Sequence, residues 1–167
     1  KVLVVIVAVV LLIAVINLVR NSLSKKQVQS ESTVNDAKAT QELNKEFTFP
    51  LTNGSGEAVS NIKYTIEDAE IRDEIIIQGK KAKAVEGRMF LILNVKISNS
   101  HSQGIEINTR DYARLSVNGN KEEWLAPSMH NDPVEVQAIS TKYTRIGVAI
   151  NNEDKDLLLT IGEIDGD

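Results

Sequence analysis

His130 and Asp132, with Glu135 just past Pro133, put an imidazole and two carboxylates within six residues. These side chains can move a proton or hold a divalent cation. The stretch His130-Asn131-Asp132-Pro133 also reads as a turn, because Asn and Asp hydrogen-bond their own backbone and Pro fixes φ. The turn is the reading adopted. Asn152-Glu153-Asp154-Lys155-Asp156 places carboxylates at alternate positions, as a Ca²⁺ loop does. It lacks the Gly and the distal Glu of an EF-hand and reads as a solvated hairpin turn. Glu106 and Asp111 stand near strand ends with no partner that spacing identifies. The chain contains no P-loop, no Gly-rich dinucleotide turn and no Ser in a nucleophile elbow.

Composition narrows the chemistry further. There is no Cys, which excludes disulfides, thiolate metal sites, a cysteine nucleophile and a lipidated N-terminal Cys. Two His are too few for most metal or catalytic designs. No catalytic, metal or cofactor site is therefore expected, and the expected class is a non-enzymatic protein. The net charge of −4 argues against a nucleic-acid partner. Lys80, Lys81, Lys83 and Arg88 form a small basic group in this acidic chain, either a solvated loop or a weak surface for an acidic polymer or a neighbouring subunit. Trp124 is the single Trp and is expected to pack in the core or at a sheet edge. Asn53-Gly54-Ser55 is a possible glycosylation sequon in a predicted exposed turn.

Three segments must position whatever these residues do. In Val2 to Val19 only Asn17 is polar. As a helix of about 1.5 Å per residue, that run is close to the hydrocarbon thickness of a bilayer. Secretory cleavage removes such a segment, so its presence reads as a retained helix, residues 1–20, that sits in a membrane or among like helices. Val2, Val5, Val9, Leu12, Ile13, Ile16 and Val19 are the residues expected to make that lipid or helix contact. Arg20, Lys25 and Lys26 after the run outnumber Lys1 before it, which by the positive-inside rule favours a cytoplasmic C-terminal side. Long folded regions translocate largely regardless of such charges, and the bulk of the chain is placed outside, at the cell surface. Residues 21–46 are polar and lack Gly and Pro, which predicts a helical extension or a stalk.

From Phe47 the apolar period becomes two. Phe47, Phe49 and Leu51 alternate, then Ile62, Tyr64 and Ile66, and Ile75–Ile77 is a short apolar strand. Gly79 to Gly87 reads as a basic loop. Leu91, Leu93, Val95 and Ile97 are the inward residues of the strongest strand, Arg88 to Ser98. Further short strands are predicted at Ile105–Ile107, Tyr112–Val117, Lys121–Leu125, Val134–Ala138, Ile146–Ile150 and Leu157–Ile161, with Asn118-Gly119-Asn120 as a hairpin signal. Seven to nine such strands without a helix between them predict an antiparallel β-sandwich or barrel over residues 47–167.

Glu86-Gly-Arg-Met-Phe-Leu-Ile-Leu-Asn-Val-Lys-Ile-Ser-Asn99 resembles the central strand of the telokin-like, immunoprotective-extracellular-protein type of immunoglobulin-like domain. In that family a G-x-x-F-hydrophobic strand ending in Asn is followed by an Asp-aromatic pair near a Leu, then by a chain end rich in L-x-L. Asp111-Tyr112, Leu115 and Leu157–Leu159 stand in the corresponding places. The resemblance covers about Phe47 to Ile164. It implies an immunoglobulin-like β-sandwich on a secreted or membrane-anchored prokaryotic protein, and it supplies no catalytic residues. The layout of a leading apolar helix followed by a β-sandwich is similar to that of archaeal-type pilins and archaellins, with Val5 where bacterial type IV pilins carry a Glu nearby. That likeness implies a subunit of an extracellular filament, polymerised with copies of itself through its N-terminal helices. The other reading is a single-pass protein anchored in membrane lipid, with an extracellular domain that binds a ligand or partner.

Overall fold

The computed structural model describes residues 34–77 and 79–163. The expected helix of residues 1–20, with Val2, Val5, Val9, Leu12, Ile13, Ile16 and Val19, lies outside the described residues, as do residues 21–33 of the connector.

The alternating segments pair into one antiparallel sheet of four strands. These are β1 (Ala39–Thr52), β2 (Ala58–Arg72), β5 (Arg88–Asn99) and β9 (Ser140–Asn151), in the order β1-β2-β5-β9. Register brings the apolar sets onto one face: Phe47 lies opposite Tyr64, Tyr64 opposite Ile97, Ile66 opposite Val95, and Leu93 opposite Ile146. A slip of one residue would turn each of these sets to water, which is why the pairing is well specified. β1 and β2 meet in a turn that Asn53 closes. Its Oδ1 accepts from the N–H of Ser55 and of Glu57, both at 2.9 Å, and Gly56 supplies φ of +81°.

Shorter strand pairs contribute to the same core. β6 (Ile105–Ile107) pairs with β8 (Val134–Val136), and β7 (Ala113–Ser116) pairs with β10 (Leu158–Ile161). They bring Ile107, Ala113, Leu115, Val134 and Val136 into one buried cluster with the inward residues of the large sheet. Each fully buried aliphatic side chain there contributes ~1.5–3 kcal/mol, so this cluster is the main force holding the strand pairs to the large sheet. The chain is thus mainly β with antiparallel sheets, and its only helical piece among the described residues is the 3₁₀ turn Thr109–Tyr112.

The outer face of the large sheet is covered at one end only. β3 (Glu74–Ile77) and β4 (Lys80–Lys83) form a hairpin, and Ile75, Ile76 and Ile77 line a small cleft with Ile92 and Met129. Ile75 and Ile92 are both buried there, apart from the main core. Met129 and Gly147 exchange backbone hydrogen bonds of 3.0 and 2.8 Å, so the chain before β8 caps the edge of β9 at that level.

Several sequence expectations are corrected. β1 begins at Ala39, so residues 39–46 belong to the sheet and not to a helical extension or stalk. Asn44, at φ +49°, sits in an irregularity between Glu42 and Lys45 that breaks the alternation, and within residues 39–46 only Leu43 is partly buried, which leaves little alternation to read. Lys80, Lys81 and Lys83 lie on β4 and not in a loop, because a two-stranded ribbon open to solvent keeps polar side chains. Asn118 and Gly119 take φ of +58° and +65° as a tight turn requires, yet of the return strand only Leu125 pairs, with Leu115. Ten strands are found among the described residues where seven to nine were expected.

Candidate functional site

On the uncovered outer face, parity fixes which side chains meet. Since Ile146, Val148 and Ile150 face the core, Thr141, Tyr143 and Arg145 of β9 face outward. Opposite them on β5 stand Ser98, Lys96 and Asn94, and beyond these on β2 stand Lys63, Thr65 and Asp68. The register shift between Ile66 and Asp68 also turns Glu67 into this strip. The result is a shallow groove of about 200 Å³ lined by Glu67, Asp68, Asn94, Tyr143 and Arg145. A second groove at the other end of the strip is lined by Thr48, Asn61, Lys63, Ser98, Ser140 and Thr141, with the exposed side chain of Ile139 beside them. Tyr143 is 64 % exposed and stands between them as an aromatic platform on a polar surface.

Hydrogen bonds hold the polar groups in place. Asn94 Nδ2 donates to Asp68 Oδ1 at 2.6 Å. Arg72 grips Glu70 with two bonds, Nε to Oε2 at 2.6 Å and one terminal nitrogen to Oε1 at 3.1 Å, while its other terminal nitrogen reaches the carbonyl of Asn35. The Arg72 guanidinium holds the Glu70 carboxyl below the ordinary Glu range, with smaller help from Asn94 and Arg145, against the opposing effect of burial. A carboxyl whose folded pKa is depressed adds stability above its unfolded pKa and loses it as pH falls through the folded one. Arg72→Met is therefore expected to lower the urea midpoint at neutral pH, with the gap to the unsubstituted chain closing as pH drops below the carboxylate range. A gap independent of pH would show that Arg72 acts only by packing.

The strip can recognise hydrogen-bonding ligands. Its geometry contains no nucleophile paired with a base, and among the described residues no three His, Asp or Glu cluster as metal ligands do.

The residues singled out in the sequence are dispersed. Asp132 is buried, its side chain 4 % exposed, and its carboxylate accepts from the backbone N–H of Thr109 at 2.8 Å and of Arg110 at 2.9 Å, and from the Thr109 hydroxyl at 2.5 Å. It therefore ties down the 3₁₀ turn. Tyr64, fully buried, donates its hydroxyl to the Thr109 carbonyl at 3.1 Å. Burial pushes the Tyr64 phenol well above its usual range, with the Asp132 charge and Tyr112 adding to the effect. The same turn brings Tyr112 onto Tyr64 and Phe49, with ring centroids 5.7 and 4.7 Å away. His130 Nδ1 accepts from the N–H of Asp132 at 3.2 Å, and it lies 3.3 Å from Asp132 Oδ2, an ion pair only when the ring is protonated. Glu135 is exposed on β8, away from any such cluster. The His130–Pro133 stretch is thus a structural turn whose Asp reaches into the core wall.

Asp154 likewise closes a turn, accepting from the N–H of Asn151 and from Asn118 Nδ2, each at 2.8 Å. The basic group is not one surface. Lys81 pairs with the buried Glu74 at 2.7 Å, and Arg88 donates to the carbonyls of Ile150 and Ala149 on β9. Lys80 and Lys83 are exposed. Trp124, expected in the core or at an edge, stands at the surface with its indole N–H on the Lys121 carbonyl. Asn53 lies exposed in the β1–β2 turn, its Nδ2 donating to Glu57. The Tyr143 strip was missed in the sequence, although the outward parity of Ser140–Asn151 carries it.

No family model matches this sequence, and no curated protein matches it. Among solved structures, the chain is similar to a conserved hypothetical protein from Bacillus anthracis, with a TM-score of 0.51 at 12 % identity. The match covers 75 % of this chain and 93 % of that one, and it is a likeness of fold.

Proposed function

We propose that this chain is a non-enzymatic cell-surface protein, anchored in membrane lipid by Val2–Val19, whose β region is an immunoglobulin-like domain of telokin-like type that binds a partner outside the cell. The observation that carries this reading is the apolar run joined through a short polar connector to an antiparallel β region. Lys38 already donates its N–H to the Ile71 carbonyl and β1 starts at Ala39, which leaves residues 21–37 as the connector. A single core shared by the long sheet and the short strand pairs supports the sandwich reading.

A filament subunit is the second reading, favoured by the Val, Ile, Leu and Ala that dominate Val2–Val15 and would suit helix-to-helix packing. A long helix running from that segment into residue 46 would have suited a filament core, and β1 removes its last eight positions. Fractionation separates the two. An anchored protein stays with membranes, resists shear and is released by detergent. A filament subunit leaves with sheared fibres. Val10→Asp, which costs ~2.5–3.5 kcal/mol at a bilayer centre, is expected to shift the protein out of the membrane fraction. Recovery of the unsubstituted chain in sheared fibres would overturn the anchored reading.

A further inference from the structure

We infer that the outer-face strip around Tyr143 is a binding site for a neutral oligosaccharide, which rests on the reading of this domain as an extracellular binding module and names its ligand.

Three observations carry the inference. Tyr143 offers an exposed ring whose flanking outward positions on the sheet are Lys96, Thr141 and Arg145. The nonpolar face of a pyranose stacks on such a ring without requiring the apolar surround that a protein hot spot needs. Next to the ring, donors and acceptors alternate at fixed positions. Asp68 is held by Asn94, and Arg145 stands beside Asn94 in the same cross-strand row. Vicinal hydroxyls, each both donor and acceptor, match that arrangement. The strip is also balanced in charge, with Lys63, Lys96 and Arg145 set against Glu46, Glu67 and Asp68. That balance disfavours an anionic polymer, which would meet carboxylates in the groove.

The strip is a rigid sheet surface with side chains at intervals of about 6.6–6.8 Å along each strand, and it continues past Tyr143 into the groove at Ser98 and Thr141. Such a surface fits a linear chain of sugars laid along β9 and not a single ring in a closed pocket.

The test is calorimetric titration of the full-length chain, in detergent, with cellohexaose, maltohexaose, chitohexaose and mannohexaose, and with polygalacturonate as the anionic control. At least one neutral hexaose is expected to bind, and more tightly than polygalacturonate. Tyr143→Ala is expected to raise its Kd about tenfold, while Tyr143→Phe changes it by less than about twofold, since the ring remains. Arg145→Gln is expected to weaken binding severalfold, and the distant Trp124→Phe to leave it unchanged. All these side chains are exposed, and an unchanged urea midpoint confirms that each variant is folded. The proposal is overturned if none of the four neutral hexaoses binds, if polygalacturonate is preferred, or if Tyr143→Ala binds as the unsubstituted chain does. Membrane fractionation of the same protein reads the anchor independently, so loss of one result leaves the other standing.

Discussion

Asp132→Ala is expected to lower the stability of the domain by about 3 kcal/mol, more than any change on its surface. The carboxylate accepts three hydrogen bonds, two from the backbone of the 3₁₀ turn and one from the Thr109 hydroxyl. Bonds to a charged acceptor are worth about 1.5–3 kcal/mol each, and a buried donor left without a partner is penalised by ~1–3 kcal/mol. Thr109 is fully buried, so water does not replace the lost oxygen without opening the wall of the core. The turn also fixes the Thr109 carbonyl that Tyr64 uses and seats Tyr112 against Phe49 and Tyr64. Urea unfolding should show a lower midpoint with an unchanged slope. Asp132→Asn should recover only part of the loss, because its amide nitrogen presents hydrogens to backbone N–H groups. In a double-mutant cycle with Thr109→Val the two changes should be strongly non-additive. A loss below about 1 kcal/mol for Asp132→Ala would show that the carboxylate behaves as a surface group.

Gly147→Val is the second large effect, expected at about 3 kcal/mol. A Cβ at this position would lie 2.6 Å from Ile92 Cδ1 and 2.6 Å from the carbonyl oxygen of Leu91. The first contact is with a side chain already packed in the cleft between β3, β5 and the Met129 segment. The second is with backbone in the neighbouring strand, which moves only if the β5–β9 pairing moves. Overpacking of this kind is relieved by shifting the main chain and not by a change of rotamer. Shortening the neighbour therefore gives a sharp check. Ile92→Val removes Cδ1 but leaves the Leu91 oxygen, so the double variant should regain little stability. Full recovery would place all the strain on the side chain.

The long strands were legible because they face two environments. Leu91, Leu93, Val95 and Ile97 repeat at a period of two, and the same parity in Ile146, Val148 and Ile150 placed β9 against them. β4 was not legible, since a ribbon of Lys80, Lys81 and Lys83 carries no apolar partner set and its pairing with β3 is supplied by the backbone. The first half of β1 was hidden by the Asn44 irregularity, which shifts the outward and inward positions by one. Asp132 was visible as a side chain able to cap a turn, but the turn it caps begins at Thr109, twenty-three positions away in sequence. No local pattern encodes such a contact. The strip at Tyr143 lay between. Each strand's parity was readable, but the rows that set Asn94 beside Arg145 and Thr65 beside Lys96 exist only once three strands are in register.

β1 pairs with β2 along one side, and its other side meets no strand among the described residues. A straight, apolar rim of that length would recruit a neighbouring copy, and molecules tethered at high density would zip together into aggregates. The kink at Asn44, the missing amide hydrogen of Pro50 and the charges of Glu42, Lys45 and Glu46 make this rim a poor template. Copies at high concentration can therefore collide without merging along this rim.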